Sequence, residues 1–491
     1  MRRRGSGGEG VRGMLRVLAG RAAWGKLAAV LALIVLTLPQ AAVFMRNVGP
    51  YTVPDPDLHA STAYALATGQ SFNATGMVRD RWGNEVRRPI VVGDERYLTG
   101  QLAYNKMLGE IITEPLRADE TIGEQHVLLA RPGGTVTAHP RATQYTPVAY
   151  APQALGLRVG WMLGEGPYAS LQAARLCNFA CYLMLGAAAV MLLPRCRWLV
   201  VIILALPESC FAASSLMTDG TFLALSTLVV ALVLAASGRA RPVCAAWFAA
   251  LSAVSALLVF GKAVYATPAL LAFALPSSVM RPRAKAGFAC WLGACSLLYL
   301  AWAHVYSGGF YNVDYAANIA YALGHPLKTL ALVCANIAFL PRTLTTGTWS
   351  ATSAALVAGA WLLSYIRARI SGGNADGPRA WLARHRYAVA AIVAAGLSLT
   401  ATVLFVALTW NDLARTGVTG LLNGIQGRYL LPLLPVLMAT VPATGTQNGT
   451  GPDAAQATGT TPARTPNRPC HGTPSPGRAA SITSRLRGTE T

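Results

Sequence analysis

Long apolar runs recur along this chain, and they set the first limit on its fold. Leu27–Leu38, Ala187–Leu193 and Ala388–Leu408 are the plainest. A helix needs about 20 mostly apolar residues to cross a bilayer core, where backbone polar groups must be satisfied internally. Composition agrees: 53% of residues are hydrophobic and only 12% charged, where a soluble chain carries about 25% charged residues. The sequence predicts an all-α polytopic membrane protein.

The net charge of +21 does not point to nucleic acid. The basic residues fall in short clusters between apolar runs: Arg195/Arg197, Arg239/Arg241, Arg281/Arg283/Lys285 and Arg367–Arg386. That is the pattern of cytoplasmic connections under the positive-inside rule. Residues 1–26 carry seven basic residues and one acid, which predicts a cytoplasmic N-terminus followed by an uncleaved first helix. Of the nine cysteines, eight lie in or beside apolar runs and Cys470 lies near the end, so neither a disulfide framework nor a zinc site is implied.

Ten spans are predicted, at roughly 27–46, 168–193, 198–216, 220–237, 243–260, 264–280, 286–305, 350–366, 387–409 and 428–443. They compose a membrane domain over 27–443, interrupted by one large extracytoplasmic loop over 47–166. That loop up to Thr146 holds 11 of the 20 acidic residues and is too long for a simple connector. Placing the basic clusters inside makes 148–165 a helix lying along the outer surface, and 327–341 an outer or re-entrant segment. Residues 444–491 are rich in Thr, Pro, Gly, Ser and Ala and read as a disordered cytoplasmic tail.

Charged residues near the outer ends of these spans carry the candidate chemistry. Pro54-Asp55-Pro56-Asp57-Leu58-His59 follows the first span. The prolines favour extended backbone, and Asp57 suits the N-cap of a helix over Leu58–Thr68. A turn with a cap accounts for the stretch; so does a general base, or a carboxylate pair holding a divalent cation such as Mg or Mn, with His59 orienting a carboxylate or contacting phosphate. Arg175, Glu208, Asp219 and Lys262 interrupt apolar sequence, and each must face a partner or a polar cavity. Ion pairs among them satisfy that demand; a cavity whose Lys262 meets an anionic phosphate satisfies it equally. Gln426-Gly427-Arg428-Tyr429 precedes the last span, where Arg428 either snorkels beside an interfacial Tyr429 or grips a lipid phosphate. No phosphate-binding glycine loop, dinucleotide fingerprint or zinc-protease motif is present.

The chain resembles the bacterial multi-pass membrane family known as domain of unknown function 2142. The resemblance lies in five stretches, in order: Pro54-Asp55…His59; Tyr145-Thr146-Pro147…Tyr150-Ala151-Pro152 with Arg175 and Asn178; Pro207–Ser215 with Asp219; Lys262…Tyr265…Pro268; and Gln426 through Pro432. That family looks related to the GT-C glycosyltransferases, which take sugars from polyprenyl-phosphate carriers at the outer membrane face. The resemblance implies a bacterial cytoplasmic membrane location and a GT-C-like fold. It also implies a catalytic Asp55 or Asp57 and a polyprenyl-phosphate sugar donor with an envelope glycan or lipid as acceptor. Lys262 and Arg428 would hold phosphate, with Arg175, Tyr429 and Gln426 beside them. Asp219, Glu208 and Tyr265 would support the cavity. Where the family usually has Asp-Glu, this chain has Asp55-Pro56, with its second carboxylate at Asp57. A transporter or flippase, or a non-catalytic assembly partner for envelope polysaccharide, is the alternative reading of the same charges.

Overall fold

The computed structural model describes the backbone of residues 7–52, 56–72, 75–79, 85–99, 125–138, 145–306, 313–345, 351–370, 378–417 and 420–442. The expectations for Asp55, for 100–124 and for the tail over 444–491 lie outside these residues. Among them, helices dominate. They are α1 (Gly7–Asn47), α2 (Pro56–Ala67), α3 (Ala151–Met162), α4 (Pro167–Leu192), α5 (Arg197–Leu204), α6 (Pro207–Ala213), α7 (Asp219–Ser237), α8 (Ala245–Lys262), α9 (Pro282–Tyr306), α10 (Tyr315–Gly324), α11 (Pro326–Thr345), α12 (Ala351–Ile370) and α13 (Pro378–Trp410).

Among the described residues, six helical stretches are long and apolar enough to cross a membrane: Ala23–Asn47, Pro167–Leu192, Asp219–Ser237, Ala245–Tyr265, Pro282–Tyr306 and His385–Trp410. The chain is thus a multi-pass membrane protein. Three of the ten expected spans are not single long helices, and proline explains each. The stretch 198–216 is broken into α5 and α6 at Pro207. The stretch 264–280 winds as 3-10 turns over Ala263–Tyr265 and Thr267–Ala274, with Pro268 at the start of the second. The stretch 428–443 is a 3-10 helix over Gly427–Val436 containing Pro432 and Pro435, then one α-turn over Leu437–Thr440. A proline lacks the N–H donor and clashes with the preceding turn, so a regular α-helix cannot run through it. The expected span at 350–366 forms α12, outside the six. The segment expected outside or re-entrant lies in α11, which meets α10 at a bend of 104°.

The all-α expectation needs one correction. The large loop carries two short antiparallel pairs: β1 (Thr75–Arg79) with β2 (Glu85–Pro89), and β3 (Val91–Asp94) with β4 (Thr135–Ala138). Val91-Val92 and Thr135-Val136-Thr137 are β-branched runs, which fit a pleated pair better than a helix. Beyond β3, Asp94 caps a single helical turn and pairs with Arg96 at 2.6 Å, a contact that raises the guanidinium pKa. Tyr97 stacks beside Tyr64 and accepts a hydrogen bond from the Trp161 indole at 2.9 Å. Burial pushes the Tyr97 phenol up, so it stays neutral.

The expected surface helix is α3, whose 12 residues are too few to cross a bilayer. Its inner face packs on α4, and Gly156 makes that approach close: a Cβ there would stand 2.3 Å from the Ala173 carbonyl oxygen. Its outer face leaves Leu155, Met162 and Leu163 exposed. The main core centres on α7, nearly every residue of which is buried among α4, α8 and the 3-10 stretch Gly427–Val436.

Candidate functional site

The first residue of α7 and the last of the antiparallel α8 lie at one end of the bundle, and each carries a charge. Asp219 opens α7 and Lys262 closes α8. Both placements suit the helix dipole, which favours an anion at an N-terminus and a cation at a C-terminus. Gly261 brings the two helices together, since a Cβ there would stand 2.1 Å from the Phe222 ring. Lys262 Nζ lies 3.7 Å from Asp219 Oδ1. Arg428, at the start of the 3-10 stretch, brings its Nε to 3.8 Å from Asp219 Oδ2. That stretch is tied to α7 lower down, where Ser226 donates to the Pro432 carbonyl at 2.6 Å.

Three tyrosines surround the lysine. Its Nζ stands 4.3 Å from the ring centre of Tyr429, 4.6 Å from Tyr265 and 5.7 Å from Tyr145, and donates to the Tyr265 hydroxyl at 3.1 Å. Electron-rich ring faces at these distances stabilise a cation that water no longer reaches fully. Tyr145 comes from the end of the large loop. It is fixed by Thr146, whose N–H and hydroxyl both donate to the Phe260 carbonyl of α8, at 3.3 and 2.8 Å. Among the described residues the cluster therefore holds two cations, one carboxylate and three tyrosines. Asp219 and Arg428 are only 5% and 6% exposed, so the excess positive charge is largely shielded from water. Its ion pairs are also longer than the roughly 2.8 Å of a direct charge-assisted hydrogen bond. The arrangement suits a further anion.

A polar bracket holds the turn that leads into Asp219. Asn178 donates to the carbonyls of Ala213, Ser215 and Met217 at 3.0–3.1 Å and accepts from the Thr221 hydroxyl at 2.7 Å. Gln153 of α3 donates to the Leu216 and Met217 carbonyls. Arg175 donates to the carbonyls of Ser214, Val48 and Phe44, at 2.7, 2.6 and 3.1 Å, and to Gln172 Oε1. This guanidinium joins α4, the end of α1 and the turn before α7. Its donors face the protein backbone, which is a supporting position.

Glu208 stands apart from the cluster: the Ser353 hydroxyl lies 2.9 and 2.8 Å from its two carboxylate oxygens, linking α6 to α12. Gln426 precedes the 3-10 stretch, and its carbonyl accepts the Tyr429 N–H at 3.1 Å.

The helix after the Pro-Asp-Pro-Asp stretch is α2, and it begins at Pro56, before the expected Leu58. Asp57 thus occupies the first turn instead of the N-cap, and proline suits that first position because its missing N–H is not needed there. The Asp57 side chain lies outside the described residues, as does all of Asp55. His59 is buried, with Nδ1 2.8 Å from the Tyr150 hydroxyl. Tyr150 in turn lies 6.3 Å, ring to ring, from Tyr145. Arg158 of α3 donates to the Ala67 carbonyl at the other end of α2. The helix carrying Asp57 is therefore docked through His59, Tyr150 and Tyr145 onto the side of the Lys262 cluster. Among the described residues, no group of three or more His, Cys, Asp or Glu converges as a metal site.

Three asparagines that sequence reasoning passed over hold the approach to Arg428. Asn318 donates to the carbonyls of Leu408 and Asn411 and accepts from the Ala414 N–H. Asn411 donates to the Val406 and Asn423 carbonyls and accepts from the Asn423 N–H. Asn336 donates to the Leu332 and Gly420 carbonyls and accepts from the Leu422 N–H. A signal for two of them was present: Ala-Asn-Ile-Ala occurs at 317–320 and again at 335–338, a buried amide each time in apolar sequence.

The chain matches no curated protein and no solved structure. Residues 38–437 match the family described as Predicted membrane protein (DUF2142), and since that match spans most of its length and all of the cluster, the protein belongs to this family.

Proposed function

We propose that the protein is a membrane glycosyltransferase that moves a sugar from a polyprenyl-phosphate carrier to an envelope glycan or lipid. One observation carries this reading: a buried Arg428 and a half-buried Lys262 share a single described carboxylate inside a ring of tyrosines, beside the helix that begins at Pro56 and carries Asp57. In the reaction, the bond between the sugar C1 and the phosphate oxygen breaks and its electron pair stays on that oxygen. The acceptor oxygen bonds to C1, and its proton passes to Asp55 or Asp57. The leaving phosphate gains negative charge as the bond breaks. Lys262 and Arg428 stabilise that charge most in the transition state. Asp219 holds the two cations in place, and the tyrosine rings line the approach of the sugar.

The proposal places the protein in the cytoplasmic membrane of a bacterium, with both termini inside and the cluster at the outer face. It counts the proline-broken stretches and α12 as crossings, which makes ten and gives a GT-C-like arrangement. The basic clusters then fall in cytoplasmic connections. Mg or Mn held by Asp55 and Asp57 is the metal-dependent form of the same proposal. In that form a chelator stops turnover.

The test offers purified protein in lipid a panel of polyprenyl-phosphate sugars with envelope-glycan acceptors and follows release of polyprenyl phosphate. Turnover in the wild type, abolished by Asp55→Asn or Asp57→Asn in folded protein, is the expected result. Normal envelope glycans in cells carrying both substitutions, when a deletion alters them, would remove the catalytic reading. A second reading, transport or flipping of an envelope lipid, draws on the 104° bend between α10 and α11, because broken helices line the pathways of many transporters. It expects lipid movement across vesicles without release of polyprenyl phosphate.

A further inference from the structure

The end of the bundle away from Asp219 holds a second group of cations, unrelated to the cluster above. Helix α7 separates the two: its 19 residues run from Asp219 to Ser237, about 28 Å at 1.5 Å per residue. Tyr387, near the start of the apolar part of α13, lies close to Ser237 and within electrostatic reach of Arg195 and Arg386. The Arg386 guanidinium sits 4.9 Å over the Tyr387 ring, and Lys285 of α9 feels its charge. Lys285 itself donates to the carbonyls of Phe273 and Leu275 at 2.8 and 2.6 Å. Arg195 lies in the turn between α4 and α5, next to Cys196, whose φ of 60° reverses the chain sharply there.

Two guanidinium nitrogens of this group, Arg195 Nε and Arg386 Nε, are buried without a hydrogen-bond partner, and the Tyr387 hydroxyl lies within reach of Arg386 and Ser237. Native proteins seldom leave buried donors unmet, and such atoms call for a ligand or water. No carboxylate among the described residues pairs with Arg195, Arg386 or Lys285. Burial holds the Arg195 guanidinium pKa below its ordinary range, because the charged form is withdrawn from water. Met191, Leu192 and Trp198 flank Arg195 and are exposed, as befits side chains at the edge of a bilayer.

We infer that Arg195, Arg386 and Tyr387 form a binding site for a phosphate group, filled from the bilayer by the headgroup of an anionic phospholipid. Two guanidinium groups and a phenol supply donors suited to phosphate oxygens, and Lys285 adds positive charge. The exposed apolar residues beside Arg195 take the acyl chains. The site does not depend on the proposed transferase reaction.

The test titrates delipidated full-length protein in detergent with phosphatidylglycerol, phosphatidylcholine or inorganic phosphate and follows thermal unfolding. Phosphatidylglycerol is expected to raise the midpoint of the wild type, while phosphatidylcholine and phosphate at equal concentration leave it unmoved. In Arg195→Gln/Arg386→Gln the apparent affinity for phosphatidylglycerol is expected to fall on the order of 10-fold or more. Tyr387→Phe removes only one hydroxyl. It keeps the inference falsifiable should the double variant fail to fold, and it too is expected to weaken the response. An equal response to phosphatidylcholine, or an unchanged response to phosphatidylglycerol in a folded variant, would overturn the site. An equal response to phosphate alone would overturn the lipid as its source.

Discussion

Lys262 and Arg175 are both cations in apolar sequence, yet their surroundings give them opposite roles. Arg175 donates to three backbone carbonyls and one side-chain amide, so its donors are satisfied within the protein. Arg175→Met leaves those acceptors unmet, and a destabilisation of about 3 kcal/mol is expected, read from chemical or thermal unfolding in detergent. Lys262 faces tyrosine rings and a carboxylate at 3.7 Å, an environment that tolerates a second anion. Lys262→Met is expected to lower release of polyprenyl phosphate on the order of 100-fold while leaving unfolding nearly unchanged. Lys262→Arg should keep part of the activity, since the charge remains but the planar head fits the tyrosine cage less well. Asp219, Lys262 and Arg428 were legible because a charge in an apolar run must find a partner. Glu208 obeys the same rule, and its hydroxyl partner Ser353 lies 145 positions away in sequence, beyond what charge alone discloses.

Helical elements were legible by length and apolarity, but their interruptions at proline were not read from the sequence. The stretches near Pro207, Pro268, Pro432 and Pro435 were expected as whole spans because hydropathy averages over a break. These broken elements deliver the site: Arg428 and Tyr429 sit on a 3-10 turn, and Tyr265 on another. The short strands of the large loop were missed, since four or five residues carry too little periodicity to announce a pair. Two outcomes belong to this scale. Gly156→Leu forces α3 away from α4 and is expected to destabilise the fold by about 2 kcal/mol, seen as a lower unfolding midpoint. Asn336→Ala frees the segment before Arg428 and is expected to weaken donor binding several-fold, less than Arg428→Gln does, measured from the donor dependence of turnover. Equal effects of the two would deny Asn336 a positioning role.

Across the whole molecule, one end of the bundle gathers the tyrosines and the Asp219 cluster, and the other gathers Arg195, Lys285 and Arg386. This polarity matches the charge asymmetry of the sequence and supports an outer cluster with cytoplasmic arginines. Cys244 is exposed in the connection between α7 and α8 at the basic end. A membrane-impermeant maleimide is expected to label it only after cells are permeabilised, with Cys244→Ser as the control. Labelling in intact cells that Cys244→Ser removes would invert the topology. The central claim is that Lys262 and Arg428 hold the phosphate of a polyprenyl carrier. Its most direct test is equilibrium binding of polyprenyl phosphate to the protein in nanodiscs. Binding at least ~10-fold weaker in both Lys262→Met and Arg428→Gln than in the wild type is the expected result. Undiminished binding in both folded variants would contradict the account.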